Sequence, residues 1–284
     1  MSGTEPVLRN ISDTARWAAV YRARESDRQG GLFRDPFARH LAGDRGEQIA
    51  RTLPSQDRNE WAWVIRTFLF DSFITEQIKQ GLDMIVNLAA GLDARPYRMP
   101  LPSSLQWIEV DLPEILTYKE EILREAKPAC ALERVRLDLS NPSARSELFE
   151  QLGRKTGKAL IVTEGLLVYF TADEVGSLAR DLAAPRSFQR WVLDIGSPGL
   201  VRMIQKQIGS QLSEARAPLR FAPEEGPGFF TSWGWRPVDV RSVLKTAARA
   251  RRVPLLLRVM ALLPESSGRQ GSRPWSGVCL LARQ

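Results

Sequence analysis

Through the middle of the chain, apolar runs of strand length alternate with longer stretches of helical pattern. Met84 to Ala89, Gln106 to Val110, Val135 to Leu137, Ala159 to Thr163 and Arg190 to Leu193 read as short buried strands, and several carry Val or Ile. Between them, Pro113 suits the first turn of a helix running to Ala126, Asn141-Pro142 opens another, and Thr171 to Glu174 has the spacing of a capping box. This alternation predicts an α/β fold with a mainly parallel sheet covered by helices on both faces. The ligand crevice of such a sheet lies at the carboxyl ends of its strands.

Upstream, Asp57 and Glu60 have cap spacing before a stripe of Trp61, Val64, Ile65 and Phe68, which predicts a helix ending near Gly81. Asp13 to Glu25 also looks helical, and Gly30-Gly31 ends it before an Asp35-Pro36 turn. Gly196 to Gly228 is rich in Gly, Pro and polar residues around a helix at Leu200 to Ile208, and reads as an insertion or lid. Arg236 to Val240 and Trp275 to Leu281 add two further strands with basic helical material between them. The expected organisation is one domain: residues 1–82 as a helical cover, 83–194 as the core, and 195–284 as lid insertion and last strands.

At 284 residues, 43% apolar and 26% charged, the composition is that of an ordinary globular protein. The apolar run from Pro254 to Pro264 is broken by Arg258 and falls short of the ~20 residues a membrane span requires. Met1 to Ile11 has neither a basic start nor an apolar stretch of signal length, so the cytoplasm is the expected compartment. Cys130 and Cys279 lack the spacing of a disulfide or CxxC site and are expected as reduced core residues. The single histidine, His40, is expected to be structural and argues against His-rich metal catalysis. Against 33 acidic residues stand 40 basic ones, a balance of +7. Arg236 to Arg273 alone holds nine basic residues against Asp239 and Glu265, a surplus that suits an anionic partner.

The candidate chemistry begins at VNLAAGLDARPYR, Val86 to Arg98, where a strand meets Gly91 and turns toward a helix. A glycine there admits a ligand close to the backbone, although the run is not a G-x-G-x-x-G fingerprint. Asp111 follows twenty positions later at the end of the next strand, placed either to accept a ribose diol or to cap the helix at Pro113. Asp138 reads as the end of the third strand in the register of Asp111, as an acceptor for an adenine amine, or else as a turn aspartate before Ser140. Glu164 directly follows an apolar strand, where a carboxylate needs a cation unless it opens a helix. Arg66 flanks the upstream apolar stripe, either as a surface residue or reaching over the crevice to a carboxylate. Together these positions match a zwitterion carrying adenosine, as S-adenosylmethionine is.

VNLAAGLDARPYR, WIEVDLPEIL followed by YK, RLDLS, VTEGLLVYF and LFRDPFARHLAG resemble the leucine carboxyl methyltransferase family, especially its bacterial branch of polyketide-type O-methyltransferases. The resemblance covers roughly Asp13 to Asp181, with an echo in GWRPVDVRSVL and RPWSGVCLL. It implies a class I methyltransferase-like, Rossmann-like seven-stranded sheet, S-adenosyl-L-methionine as cofactor and a small-molecule methyl acceptor. It further implies that Arg66 contacts the methionine carboxylate, Gly91 lies under the cofactor, Asp111 holds the ribose, Asp138 and Leu139 read adenine, and Glu164 sits near the amino group. Arg95 and Arg98 recur in the motif without an evident role, and no metal is implied. Ser140 and Ala89-Ala90 depart from many relatives and bear on the acceptor more than on the cofactor. Tyr169 and the region Arg186 to Pro198 are expected beside the crevice, and Phe229 to Trp235 as core or as an aromatic acceptor pocket. Two other classes compete. An NAD-dependent oxidoreductase also uses a glycine and an acid around adenosine, and a nucleic-acid-binding protein would use the basic stretch, although no DNA or RNA motif supports it.

Overall fold

The computed structural model describes residues 7–53, 59–264, 271 and 273–284. Its strands are β1 (Met84–Leu88), β2 (Gln106–Asp111), β3 (Ala131–Arg136), β4 (Ala159–Thr163), β5 (Phe188–Gly196), β6 (Trp235–Ser242) and β7 (Ser276–Arg283). They form one seven-stranded sheet in the order β3-β2-β1-β4-β5-β7-β6. The first five are mutually parallel, and β7 runs antiparallel between β5 and β6. Every residue of β1 and β4 is buried, so these strands are near-continuous apolar runs rather than alternating ones, with Asn87 and Thr163 hydrogen-bonded to Asp93 and Trp191.

The period of two sorts the strand side chains onto the two faces. Met84, Val86, Leu88, Ile108, Val110, Ile161, Trp191 and Leu193 pack on one side against α6 (Pro142–Lys155) and α7 (Ala172–Ala183). Ile85, Trp107, Leu160, Val162 and Val192 pack on the other against α3 (Glu60–Lys79) and α9 (Val243–Arg249). Burial of each such side chain is worth about 1.5–3 kcal/mol, which fixes the register, because a slip of one residue would exchange the faces. The order in which strands are added reverses between β1 and β4, with β2 and β3 to one side and β5 to the other, so the crevice opens at the carboxyl ends of β1 and β4.

A third apolar cluster lies over those ends. Trp17 and Tyr21 of α1 (Ile11–Asp27), Leu41 and Ile49 of α2 (Ala38–Thr52), and Val201, Ile208 and Leu212 of α8 (Pro198–Glu214) pack together with Leu92, Leu112 and Tyr169. The segment expected as an insertion is therefore mostly one helix, kinked at Ile208, docked on the N-terminal cover. Within Phe229 to Trp235, Phe230 and Trp235 are core, fully buried against Trp191, and Trp235 Nε1 donates to the Ala179 carbonyl at 2.9 Å, while Phe229 and Trp233 are half-buried.

Local signals held where a side chain supplies the cap. Thr171 and Glu174 form both arms of the capping box, Asn141 accepts from Ala144 N at 3.2 Å, and Pro113 opens α5 (Pro113–Leu123). Three expectations change. The third strand spans Ala131–Arg136 rather than Val135 to Leu137, because as a polar, half-exposed edge it shows no apolar run, yet it pairs with β2 along its full length. Helix α2 went unread, since Gly43 breaks it and Gly46 lowers its helical signal. The helix ahead of the sheet starts at Glu60, and Asp57, its expected cap, lies outside the described residues, as do Met1 to Pro6 and Glu265.

Glu109 of β2, fully buried inside the sheet, is paired. Lys119 Nζ donates to Glu109 at 2.7 Å with both side chains fully buried, and Arg134 Nε donates to the other Glu109 oxygen at 2.9 Å. Replacing Lys119 by Met strips a buried carboxylate of one partner. Its expected cost is about 3–5 kcal/mol in urea denaturation, with Lys119→Met/Glu109→Gln recovering much of it.

Candidate functional site

The crevice is built from the turns that follow the central strands. After β1 the chain passes through Ala89 and Gly91, both at positive φ (52° and 48°). A side chain at Gly91 would be strained and would meet Ala15 Cβ of α1 at 3.3 Å. Gly91 N donates to Asp111 Oδ2 at 2.6 Å, and Leu112 N donates to Asp111 Oδ1 at 2.7 Å. Asp111 therefore does not cap α5, whose preceding residue is Leu112. It ties the β1 turn to the end of β2. Burial raises its pKa, and the two backbone donors offset part of that.

After β4, Glu164 faces arginines instead of opening a helix. Arg66 Nε donates to Glu164 Oε1 at 3.1 Å, and Arg95 Nη2 donates to Glu164 Oε2 at 2.8 Å. Arg66 comes from the second turn of α3 and lies over the Trp63 ring at 4.7 Å, and its Nη1 is 3.5 Å from Asp194 on β5. Arg66 is thus a crevice residue and not a surface one. Gly165, at φ +68°, leaves room for the Arg66 guanidinium and donates its N–H to Asp194 at 2.6 Å. Burial raises the Asp194 pKa against the pull of Arg66 and the Gly165 amide. Tyr169 lies in the same place, its phenol pKa raised by burial despite a hydrogen bond with Thr14 of α1.

Arg95 and Arg98, whose roles the pattern left open, anchor this cluster from α4 (Arg95–Arg98). Arg95 is 2% exposed and donates to Asp71 at 2.6 Å, Asp93 at 2.8 Å and Glu164. Arg98 donates to both Asp71 oxygens at 2.7 Å. Arg66, Arg95 and Arg98 are thereby set among Asp71, Asp93, Glu164 and Asp194, so the carboxylates exceed the guanidinium groups by one.

The structure brings Arg66, Gly91, Asp111 and Glu164 to neighbouring strand ends. It corrects Asp138. The β3 partner of Asp111 is Arg136, and Asp138 is an exposed turn residue past the strand, accepting from Ser140 N at 2.8 Å. Leu139 beside it is buried in the core, and its carbonyl accepts from Arg145 at 3.0 Å. Sequence reasoning missed Asp71, Asp93 and Asp194. Only Asp194 carried a signal, as an acid within the region Arg186 to Pro198 expected beside the crevice, directly after the apolar run ending at Leu193.

Burial alone would raise the Asp93 carboxyl, yet Arg95, Lys119 and Arg98 hold it down at about 2, against an ordinary value of 3.8. A depressed acid contributes stability above its unfolded pKa and loses it as pH falls through the folded one. The loss therefore falls between about pH 4 and pH 2 and amounts to about 2 kcal/mol. Asp93→Asn is expected to unfold at lower urea at neutral pH, and its gap to the wild type is expected to close across that acid window.

A family model described as leucine carboxyl methyltransferase matches residues 15–183. Relatives named S-adenosyl-L-methionine-dependent methyltransferases include a protein of Frankia alni, 29% identical over 86% of this chain and 88% of its own length. Another, from Streptomyces coelicolor, is 30% identical over 78% and 82% respectively. The crystal structure of a methyltransferase from Thermobifida fusca YX superposes with a TM-score of 0.60 at 15% identity, over 98% of this chain and 96% of that one. Each of these three names carries the word putative. The structural likeness bears on the fold alone.

Proposed function

The chain belongs to the leucine carboxyl methyltransferase family, and from that premise we propose that it methylates a carboxylate or hydroxyl oxygen of a small molecule such as a polyketide-type metabolite. It is an S-adenosyl-L-methionine-dependent methyltransferase. The observation that carries the reading is the pairing of Gly91 with Asp111 across adjacent strand ends, beside the Arg66–Glu164–Asp194 cluster.

The residues fit the cofactor's chemistry. Each Asp111 oxygen accepts one backbone N–H and keeps a lone pair for a ribose hydroxyl. Gly91 keeps the backbone bare beneath the cofactor. Arg66 is assigned to the methionine carboxylate and Glu164, with its neighbour Asp194, to the ammonium. Asp138 and Leu139 are assigned to the adenine edge. With sulfonium, ammonium and carboxylate the cofactor carries one net positive charge, which the single surplus carboxylate of the cluster balances. Because both Glu164 oxygens already accept from arginines, Glu164 also holds Arg66 in place.

Bound there, the cofactor supplies a methyl group already activated on sulfur. What remains for the protein is to align the acceptor oxygen and exclude water, and orientation of that kind is worth ~7–11 kcal/mol in good cases. A carboxylate acceptor needs no base, whereas a hydroxyl gains from one.

The test compares ligands and then acceptors. S-adenosylhomocysteine is expected to raise the thermal midpoint and NADH to leave it unchanged, since a ligand at a hundred times its Kd stabilises by about 2.7 kcal/mol. Asp111→Ala is expected to weaken S-adenosylhomocysteine binding by about tenfold or more, the loss of charge-assisted hydrogen bonds, with the circular dichroism spectrum retained. Unchanged affinity would remove Asp111 from the site. Methyl-labelled cofactor offered with carboxylic and phenolic acceptors decides the oxygen, and label on neither class overturns the O-methyl reading.

A further inference from the structure

Leu255, Leu256, Val259, Met260, Leu262 and Leu263 stand out of the surface, each between 48% and 83% exposed. The first four belong to α10 (Leu255–Met260), and the other two follow in the next turn. Leu257 of the same helix turns inward against the core beneath α3, so the helix is docked by one side chain and presents the rest. Single exposed leucines are ordinary on proteins, but a contiguous group marks a surface that meets something apolar.

The surrounding charge identifies the partner. Val243 to Pro264 contains five basic residues and no acidic one. Arg249 and Arg251 are exposed, and neither is in a salt bridge among the described residues. Arg252 fixes the base of the patch by donating to Glu25 at 2.7 Å and to the Gly30 carbonyl at 2.8 Å, which ties it to the end of α1, the helix over the crevice. Leucines projecting beyond a rim of arginines match an anionic bilayer, whose acyl boundary takes the apolar side chains and whose phosphates take the guanidinium groups. A second copy packed through the same patch would set these arginines against their own equivalents. A nucleic acid would leave the leucines in water.

We propose that α10 and the Leu262-Leu263 turn dock this protein peripherally on anionic lipid surfaces. No helix among the described residues is long and apolar enough to cross a membrane, so attachment through this face is interfacial.

Cosedimentation of the full chain with phosphatidylcholine vesicles, with and without phosphatidylglycerol, tests this. Binding is expected to phosphatidylglycerol vesicles and to weaken as salt rises. Leu256→Glu/Leu262→Glu is expected to lower the bound fraction by about tenfold or more, and Arg249→Ser/Arg251→Ser to abolish the preference for phosphatidylglycerol. All four positions lie outside the crevice, and the thermal midpoint is expected to stay at the wild-type value. Should the leucine pair melt early, the arginine pair decides alone. The proposal fails if the wild type does not pellet with anionic vesicles, or if the leucine variant pellets like the wild type. It also fails if sedimentation equilibrium shows a dimer that the leucine variant dissolves, because the patch then belongs to a second copy.

Discussion

The crevice depends on the buried guanidinium of Arg95. One side chain from the short helix after β1 reaches Asp71 on α3, Asp93 in its own turn and Glu164 after β4, and so joins three elements far apart in sequence. Removing a charge from water costs several kcal/mol, and only near-complete pairing recovers it. Arg95 has that pairing, whereas Arg98 is bound through both Asp71 oxygens while its buried Nε has no hydrogen-bond partner and lies 3.7 Å from Asp35. The consequence is geometric. Glu164 cannot turn away without leaving Arg95 short of a partner, and Arg66, held by Glu164, inherits the same restraint.

The fold was legible wherever one physical signal dominated. Buried parallel strands are apolar on both faces, so β1, β2, β4 and β5 stood out as runs, and side-chain caps marked the starts of α6 and α7. The signal failed where two demands conflicted. The edge strand β3 has to be polar toward water while still pairing with β2, so its sequence ALERVR shows only its last apolar residue. Helix α2 packs against α1 so closely that Gly46 faces the Arg16 carbonyl and Val20, and glycines that permit such an approach also erase the helical pattern.

The site divided along similar lines. Asp111 ends β2, Glu164 directly follows β4 and Gly91 lies in the turn after β1, so all three positions could be placed at the crevice end of the sheet from the sequence. Asp138 also follows a strand, yet it lies two residues past the true end, and that offset turned it from the sheet edge into an exposed turn. The partners of Glu164 were not legible, since pairing of Arg95 with Asp71 depends on how α3 crosses the sheet, which periodicity does not encode. Arginines inside VNLAAGLDARPYR read as repeats of a motif until burial shows that each is enclosed by carboxylates.

Net charge and site charge prove to be separate quantities in this chain. The sequence carries +7, whereas the crevice cluster has one more carboxylate than guanidinium group. Many of the arginines are consumed internally: Arg241 by Glu76 and Asp239, Arg252 by Glu25, and Arg134 by Glu109. Such pairs cancel at short range and contribute little to the field beyond a Debye length of about 8 Å. Arg249 and Arg251, beside α9 and α10, are exposed and outside any salt bridge among the described residues. The positive balance of the whole chain therefore says nothing about the sign of the crevice, where the carboxylates of the cluster outnumber its guanidinium groups.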